Sequence, residues 1–389
     1  MRIGIDVRSF VFDQGKMTGI GRYIYEVIKV WIKEYPDDEY YLLANGEIFL
    51  GFQLPANWHM VTDDSGIFRN SKIWGIVRLP YLVKRLKLDV FWGPNFVLPA
   101  RVKGTKYFVS VYDLAAWRFP DTIERSNAVR LYLRTESACK RADGIIAISQ
   151  ATADDITEIF GIKADDINVC YCGGSVKTSG NNTVGDEIGS DRKAVKGNIN
   201  ACLQFEEEYF LFVSTIEPRK NVLSIIQTFE KYKERSGSTI KLVLAGKRGW
   251  NCDDIYEAAE SSTYKEDIVM PGYITEEDKR YLYQNAKLFL FPSLYEGFGI
   301  PVLEAMEYGL PVITSRVSSL PEVGGDAVLY VDDPFDIDGI AENIDKICSM
   351  SMEEAEELSK KMELQVKKFS WDNTARDIMG MFMKRVKGI

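Results

Sequence analysis

Residues 288–315 read LFLFPSLYEGFGIPVLEAMEYGLPVITS, and this stretch sets the architecture of the chain. An apolar strand runs to Pro292, and a glycine-rich loop leads to Pro301, a residue that fits the first position of a helix. Gly309 closes that helix as a C-cap, and Pro311 opens the next strand. Strand, loop, helix and strand in one short run is the repeating unit of a parallel α/β sheet. Gly297 and Gly299 let a ligand come close to the backbone. The helix start offers N–H groups and the positive end of a dipole, a combination suited to phosphate. Glu296 lies before the helix, and Glu304 is expected in its first turn. There a carboxylate can simply complement the dipole. That does not explain Glu296 in a glycine loop beside Phe298, where a carboxylate suits a hydroxyl-rich ligand.

The same alternation extends in both directions. In the first half RIGIDV, YYLLA, DVFW, KYFVSVYD, GIIAIS and INVCYC read as strands, and GRYIYEVIKVWIKEY and SNAVRLYLRTESACKRA as helices. PANWHM, which holds His59, reads as a loop. A polar stretch beginning GGSVKTSGNN reads as a linker or mobile loop. A second series then starts afresh, with strands EYFLFVST, KLVLAG, DIVMPG, LFLFPS, PVITS and AVLYV. Its helices are NVLSIIQTFEKYKER, TEEDKRYLYQNA and PVLEAMEYG. The expected class is α/β, with Rossmann-like domains at 1–175 and 208–372, a linker at 176–207 and an amphipathic helix at 373–389. Two separately wound sheets imply a cleft, with ligands beyond the carboxyl ends of the strands.

Composition narrows the chemistry. A chain of 389 residues exceeds one ordinary core, and 46% hydrophobic with 27% charged residues marks a soluble globular protein. His59 is the one histidine, so Ser-His triads, His-rich metal sites and imidazole relays have almost nothing to work with. Cys139, Cys170, Cys172, Cys202, Cys252 and Cys348 show no metal-ligand spacing, so reduced thiols and no metal are expected. Residues 1–195 carry 25 Lys and Arg against 24 Asp and Glu, and the remainder 23 against 33. An acidic chain is a poor general nucleic-acid binder, so no such partner is expected. MRIGIDVRSF reads as a strand rather than a signal region, and no apolar run nears the roughly 18 residues of a membrane span. A cytoplasmic location is expected.

Two further elements carry chemistry. In FLFVSTIEPRKNVLSIIQTF a strand ends near Thr215, Pro218 starts a helix, and Arg219 and Lys220 follow. Cations at a helix N-terminus oppose its dipole, which becomes sensible if an anion lies between them and the helix end. A diphosphate-binding pair explains the placement better than surface charge does. In MTGIGRYIYEVIKVW, Gly19 and Gly21 precede a long helix, where a flexible turn competes with a ligand contact. No Walker motif or complete G-x-G-x-x-G occurs, which disfavours the usual ATP and NAD enzymes.

Together these residues resemble the family 4 glycosyltransferases, retaining enzymes with two facing Rossmann-like domains, the GT-B fold. The resemblance covers nearly the whole chain: TGIGRY, VYDL and IAISQAT, then EPRKN, LVLAGKRGW, MPGYI and YEGFGIPVLEAM. It implies that Arg219 and Lys220 hold a donor diphosphate and that Glu304 binds the ribose. Glu296, Gly297, Phe298, Gly299 and Ile300 would surround the transferred sugar. Gly246, Lys247, Gly272, Tyr273 and Ile274 would contact or flank the nucleotide, Gly19 and Gly21 would approach the phosphates, and the last helix would cross back towards the first domain. The family often has histidine where Tyr112 stands in Val111-Tyr112-Asp113-Leu114. A phenol can donate a hydrogen bond but, near pKa 10, cannot titrate like imidazole. Either that position's role is positional or the acceptor or activity differs. Tyr112 and Asp113 are the acceptor-side candidates, with Asp113 also a catalytic one.

The resemblance further implies a mechanism without a dedicated nucleophile, metal or cofactor beyond a nucleotide-sugar co-substrate, GDP-mannose or a UDP-sugar. Its EPRKN subgroup points to mannose, and the acceptor would be a saccharide or lipid-linked. The alternatives are a sugar-nucleotide epimerase or phosphorylase of the same fold, and a non-catalytic sugar-nucleotide-binding relative. Residues 72–92 mix apolar with basic residues, which fits either a helix packed on its sheet or peripheral contact with anionic lipid.

Overall fold

The computed structural model describes residues 1–10, 18–63, 65–120, 125–174, 203 and 207–388. The expected linker, 176–207, lies outside the described residues apart from Leu203 and Glu207. The chain forms two compact units. One comprises Met1–Arg118, Glu124–Gly173 and Phe369–Ile389; the other comprises Phe119–Ile123 and Gly174–Lys368.

The first unit holds a parallel sheet of β1 (Arg2–Asp6), β2 (Glu39–Ala44), β3 (Trp58–Thr62), β4 (Val90–Gly93), β5 (Lys106–Val111), β6 (Gly144–Ala147) and β7 (Ile167–Val169). Their order is β3-β2-β1-β4-β5-β6-β7. The stretch read as a loop around His59 is the edge strand β3. Trp58 stacks on Tyr40 of β2 at 3.9 Å between ring centroids, and His59 stacks on Tyr41 at 4.9 Å. Cross-strand aromatic pairs of this kind stabilise a strand whose own pattern is weak.

The second unit repeats the winding with β8 (Tyr209–Val213), β9 (Lys241–Ala245), β10 (Ile268–Gly272), β11 (Leu288–Phe291), β12 (Val312–Ser315) and β13 (Leu329–Val331). Its order is β10-β9-β8-β11-β12-β13, again parallel throughout. Leu288, Phe289, Leu290 and Phe291 are all inaccessible to solvent, which stabilises the unit by about 2 kcal/mol per side chain. The strand order reverses between β8 and β11, and such a switch point is where open α/β sheets bind ligands. The same reversal falls between β1 and β4 in the first unit. The chain is thus a pair of doubly wound Rossmann-like units, the expected class.

The C-terminal helix Trp371–Lys387 belongs to the first unit. Trp31 Nε1 donates to the Ala375 carbonyl at 2.9 Å, and Phe382 lies 4.4 Å from Phe108 between centroids. Arg376 pairs with Glu34 on the neighbouring helix Gly19–Glu34.

The 72–92 region is a helical run, Ser71–Ile73, Trp74–Arg78 and Leu79–Arg85, followed by β4. Its inner face packs as ordinary core, with Trp74, Leu79, Leu82 and Val83 buried. The outer face is not polar: Ile76 is 72% exposed and Val77 54%, with Ile73 and Tyr81 also exposed. Lys72, Lys84 and Arg85 are exposed on the same run.

Candidate functional site

The switch-point strands of the second sheet deliver the two motifs singled out in the sequence to each other. Beyond β8 the chain makes a 3-10 turn, Pro218–Lys220, and then Asn221 at φ +55° before the helix Val222–Ser236. Arg219 and Lys220 therefore lie in the 3-10 turn just before that helix, which corrects the expectation that they follow its start. Their anion is supplied by the protein. Lys220 Nζ donates to Glu296 Oε1 at 2.6 Å, and Arg219 Nη1 lies 3.6 Å from Oε2. Arg219 also donates to the Tyr295 carbonyl at 2.6 Å and to Glu217 Oε1 at 2.7 Å.

Lys220 and Glu296 are both buried. Burial alone would raise the Glu296 carboxyl, but the charges of Lys220 and Arg219 hold it below its ordinary value. Burial also pulls the Lys220 ammonium below its usual value, against the opposing effect of Glu296. The loop carrying Glu296 is fixed by two serines beyond β12. Glu296 N donates to Ser318 Oγ at 2.9 Å, and Ser319 Oγ donates to the carbonyls of Glu296 and Phe298 at 2.9 and 2.8 Å. Motif reading missed these serines, because only the adjacency of β11 and β12 brings SRVSS to the loop.

Gly299 sits at φ +106°, and a Cβ there would meet Leu320 at 2.9 Å, so glycine is required at this break. The helix that follows is Ile300–Glu307, which puts Pro301 second rather than first. Its C-cap is Tyr308, with Gly309 beyond it at φ +64°. Glu304 is the fifth helical residue, not a first-turn residue, so complementing the dipole does not account for it. It is buried, with Lys279 Nζ donating to Oε1 at 2.9 Å and Tyr283 Oη 3.4 Å from Oε2. Lys279 and Tyr283 also escaped the motif reading. Their spacing on the helix Glu276–Asn285 was the available signal.

Gly246 follows β9 and Gly272 ends β10, and the two are joined by Gly246 N donating to the Gly272 carbonyl at 2.9 Å. A Cβ on Gly246 would lie 1.6 Å from the Ser214 carbonyl oxygen, so this position closes the strand ends tightly. Lys247 and Tyr273 are exposed beside them and Ile274 is half-buried, while Phe298 is buried.

The remaining candidates belong to the first unit. Gly19 and Gly21 do not precede the long helix; they are its first and third residues, capped by Thr18 Oγ1 accepting from Gly21 N at 3.0 Å. Gly19 is exposed at the helix start, whereas Gly21 is buried and its N–H is taken by the cap. Tyr112 follows β5 and is buried edge-on against Tyr23 and Phe96, each 5.4 Å away between centroids. Burial pushes its phenol far above the ordinary value, so it does not exchange protons near neutral pH. Asp113 Oδ1 accepts from Ala115 N at 3.1 Å.

Comparison with known proteins accords with this geometry. The profile described as Glycosyl transferases group 1 matches residues 202–365, and that of Glycosyltransferase Family 4 matches 17–176. O-antigen chain mannosyltransferase B of Escherichia coli is 29% identical over 381 residues, 92% of this chain and 93% of that protein. The serotype-specific mannosyltransferase WbdA of Escherichia coli is 33% identical over 258 residues, 64% of this chain but 30% of that longer protein. The solved sucrose-phosphate synthase of Thermosynechococcus elongatus matches with a TM-score of 0.72 at 14% identity, over 100% of both chains, a likeness of fold. Two doubly wound parallel units of this kind are the GT-B fold, and the two profiles make the chain a glycosyltransferase of that class. This chain belongs to family 4 of those enzymes.

Proposed function

We propose that the enzyme moves a hexose, mannose first, from a nucleotide-diphosphate sugar to a saccharide or lipid-linked acceptor, with retention of configuration and without a metal. The observation that carries this reading is the buried Lys220–Glu296 pair at the second switch point, with Arg219 beside it. An ammonium has three N–H donors, and Glu296 takes one. A diphosphate seated there would be neutralised by Lys220 and Arg219 in a low-dielectric site, where fixed charges act most strongly on developing charge. The start of the helix Ile300–Glu307 adds backbone N–H donors.

In the proposed step the acceptor hydroxyl oxygen bonds to the anomeric carbon on the face the diphosphate leaves. The carbon–oxygen bond to phosphate breaks, and the hydroxyl proton passes to an oxygen of the leaving diphosphate. Glu296, held as a carboxylate, would support the positive charge that develops on the sugar ring. Glu304 would take the ribose hydroxyls, and Gly246, Lys247, Gly272, Tyr273 and Ile274 would flank the base. The two similar mannosyltransferases support mannose, and the first, an O-antigen enzyme, a role in surface polysaccharide synthesis. No cofactor beyond the co-substrate is proposed.

Peripheral contact with the inner face of the membrane through residues 72–92 is part of the proposal. Its support is the second apolar face, Ile73, Ile76, Val77 and Tyr81, on a helix whose first face is already packed, with Lys72, Lys84 and Arg85 to meet anionic headgroups. Donor hydrolysis with GDP-mannose, UDP-glucose and UDP-N-acetylglucosamine tests the reaction. Release of GDP from GDP-mannose is expected. Interconversion of the sugar would instead indicate an epimerase, and binding without turnover a non-catalytic relative.

A further inference from the structure

Glu304 is the second buried glutamate of the loop-and-helix element, and its carboxylate is held from outside that element. Lys279 and Tyr283 reach it from one face of the helix Glu276–Asn285, at 2.9 Å and 3.4 Å from its two oxygens. Lys279 is largely buried, and its ammonium also meets the exposed Glu276 at 3.0 Å. Burial works against its charge, but the carboxylates of Glu304 and Glu276 outweigh it and hold the ammonium above its ordinary value. Tyr283 is buried and stacked on Tyr308, with rings 8° from parallel, so this side of the contact is rigid.

A buried Lys–Glu pair is a poor device for stability alone, since apolar side chains of similar volume often serve as well. This pair falls on the carboxylate that the nucleotide-sugar reading assigns to the ribose. We infer that Lys279 is a positioning residue for nucleoside recognition, fixing the Glu304 carboxylate so that it meets both hydroxyls of the ribose of a nucleoside diphosphate. The inference rests on that reading and adds a residue to it. Lys279 donates to one carboxylate oxygen and Tyr283 reaches the other. Two oxygens match the two donors of a cis-diol only while the group is held in one orientation. Ribose recognition therefore depends on Lys279, and phosphate recognition, at Lys220 and Arg219, does not.

Calorimetric titration of wild type and Lys279→Met with GDP and with 2′,3′-dideoxy-GDP tests this directly. The wild type should prefer GDP. Lys279→Met should weaken GDP about ten-fold or more and leave the dideoxy compound within about two-fold, so the preference collapses. Lys279→Arg should restore part of it. Because the preference is a ratio of two ligands on one variant, a general loosening of the fold cancels. Lys279→Gln replaces the methionine variant if that one does not melt cooperatively. An unchanged preference, or tighter GDP binding in Lys279→Met, overturns the inference and leaves the nucleotide-sugar reading intact. Wild type that binds neither GDP nor UDP overturns both.

Discussion

At the carboxyl ends of β8 and β11 the second unit buries charge: Lys220 against Glu296, with Arg219 at its edge. At the carboxyl end of β5 the first unit buries an aromatic cluster instead, Tyr112 between Tyr23 and Phe96. Both units have the same winding, so the difference lies in the side chains placed at the strand ends. Buried charge without a partner is expensive, and here the lysine and the glutamate are each other's partner. A buried phenol carries no charge, though its hydroxyl is still desolvated, and it offers no proton near neutral pH. The contrast is thus between a buried ion pair in the second unit and a buried aromatic cluster in this part of the first.

The largest effect that can break this contrast is loss of turnover. Glu296→Ala and Lys220→Ala should each reduce transfer by about 10³-fold or more while the chain stays folded. Near-normal rates in both would move the chemistry elsewhere. In stability, Lys220→Met should cost about 3–5 kcal/mol because it strands a buried carboxylate. The double variant Lys220→Met, Glu296→Gln should recover much of that in a denaturant melt and remain inactive. A double variant no more stable than the single one would mean that the pair is not coupled. Gly246→Ala should cost about 2 kcal/mol or more through its clash with the Ser214 carbonyl, read as a lower melting temperature.

Smaller effects sharpen the comparison. The Glu296 carboxyl titrates below its unfolded value, so its pairing stabilises the fold above ordinary glutamate pH. That contribution should disappear as pH falls from the ordinary value of 4.5 through the lower folded one. Lys220→Met should flatten this part of the stability profile; the same slope in the variant would refute the assignment. Tyr112→Phe should keep transfer within about two-fold of wild type, since the phenol is buried and unable to relay protons. A hundred-fold loss would restore Tyr112 to the chemistry. Flotation with anionic liposomes should weaken when Lys72, Lys84 and Arg85 are replaced by glutamine, by about 1 kcal/mol per charge. Absence of wild-type flotation would end the membrane proposal.

Much of the fold was legible because parallel strands buried on both faces are short apolar runs, as in LFLF and KLVLA. β3 escaped because an edge strand carrying His59 and a partly exposed face lacks that signature. Glu296, Glu304, Arg219 and Lys220 stood out because glycine and proline punctuate their neighbourhoods. The helix at 71–85 carried the right composition, but its pattern did not show that it is apolar on two sides.

By itself the sequence determined the class and the two α/β series, since propensity, glycine and proline act over a few residues. Tertiary structure alone decided which charges meet. Lys220 and Glu296 are 76 positions apart, and only the adjacency of β8 and β11 brings them to 2.6 Å. The Lys279–Glu304 contact likewise depends on how two helices pack, and the burial of Tyr112 on the helix that carries Tyr23. Such contacts are set by strand order and packing, which no local stretch of the chain encodes.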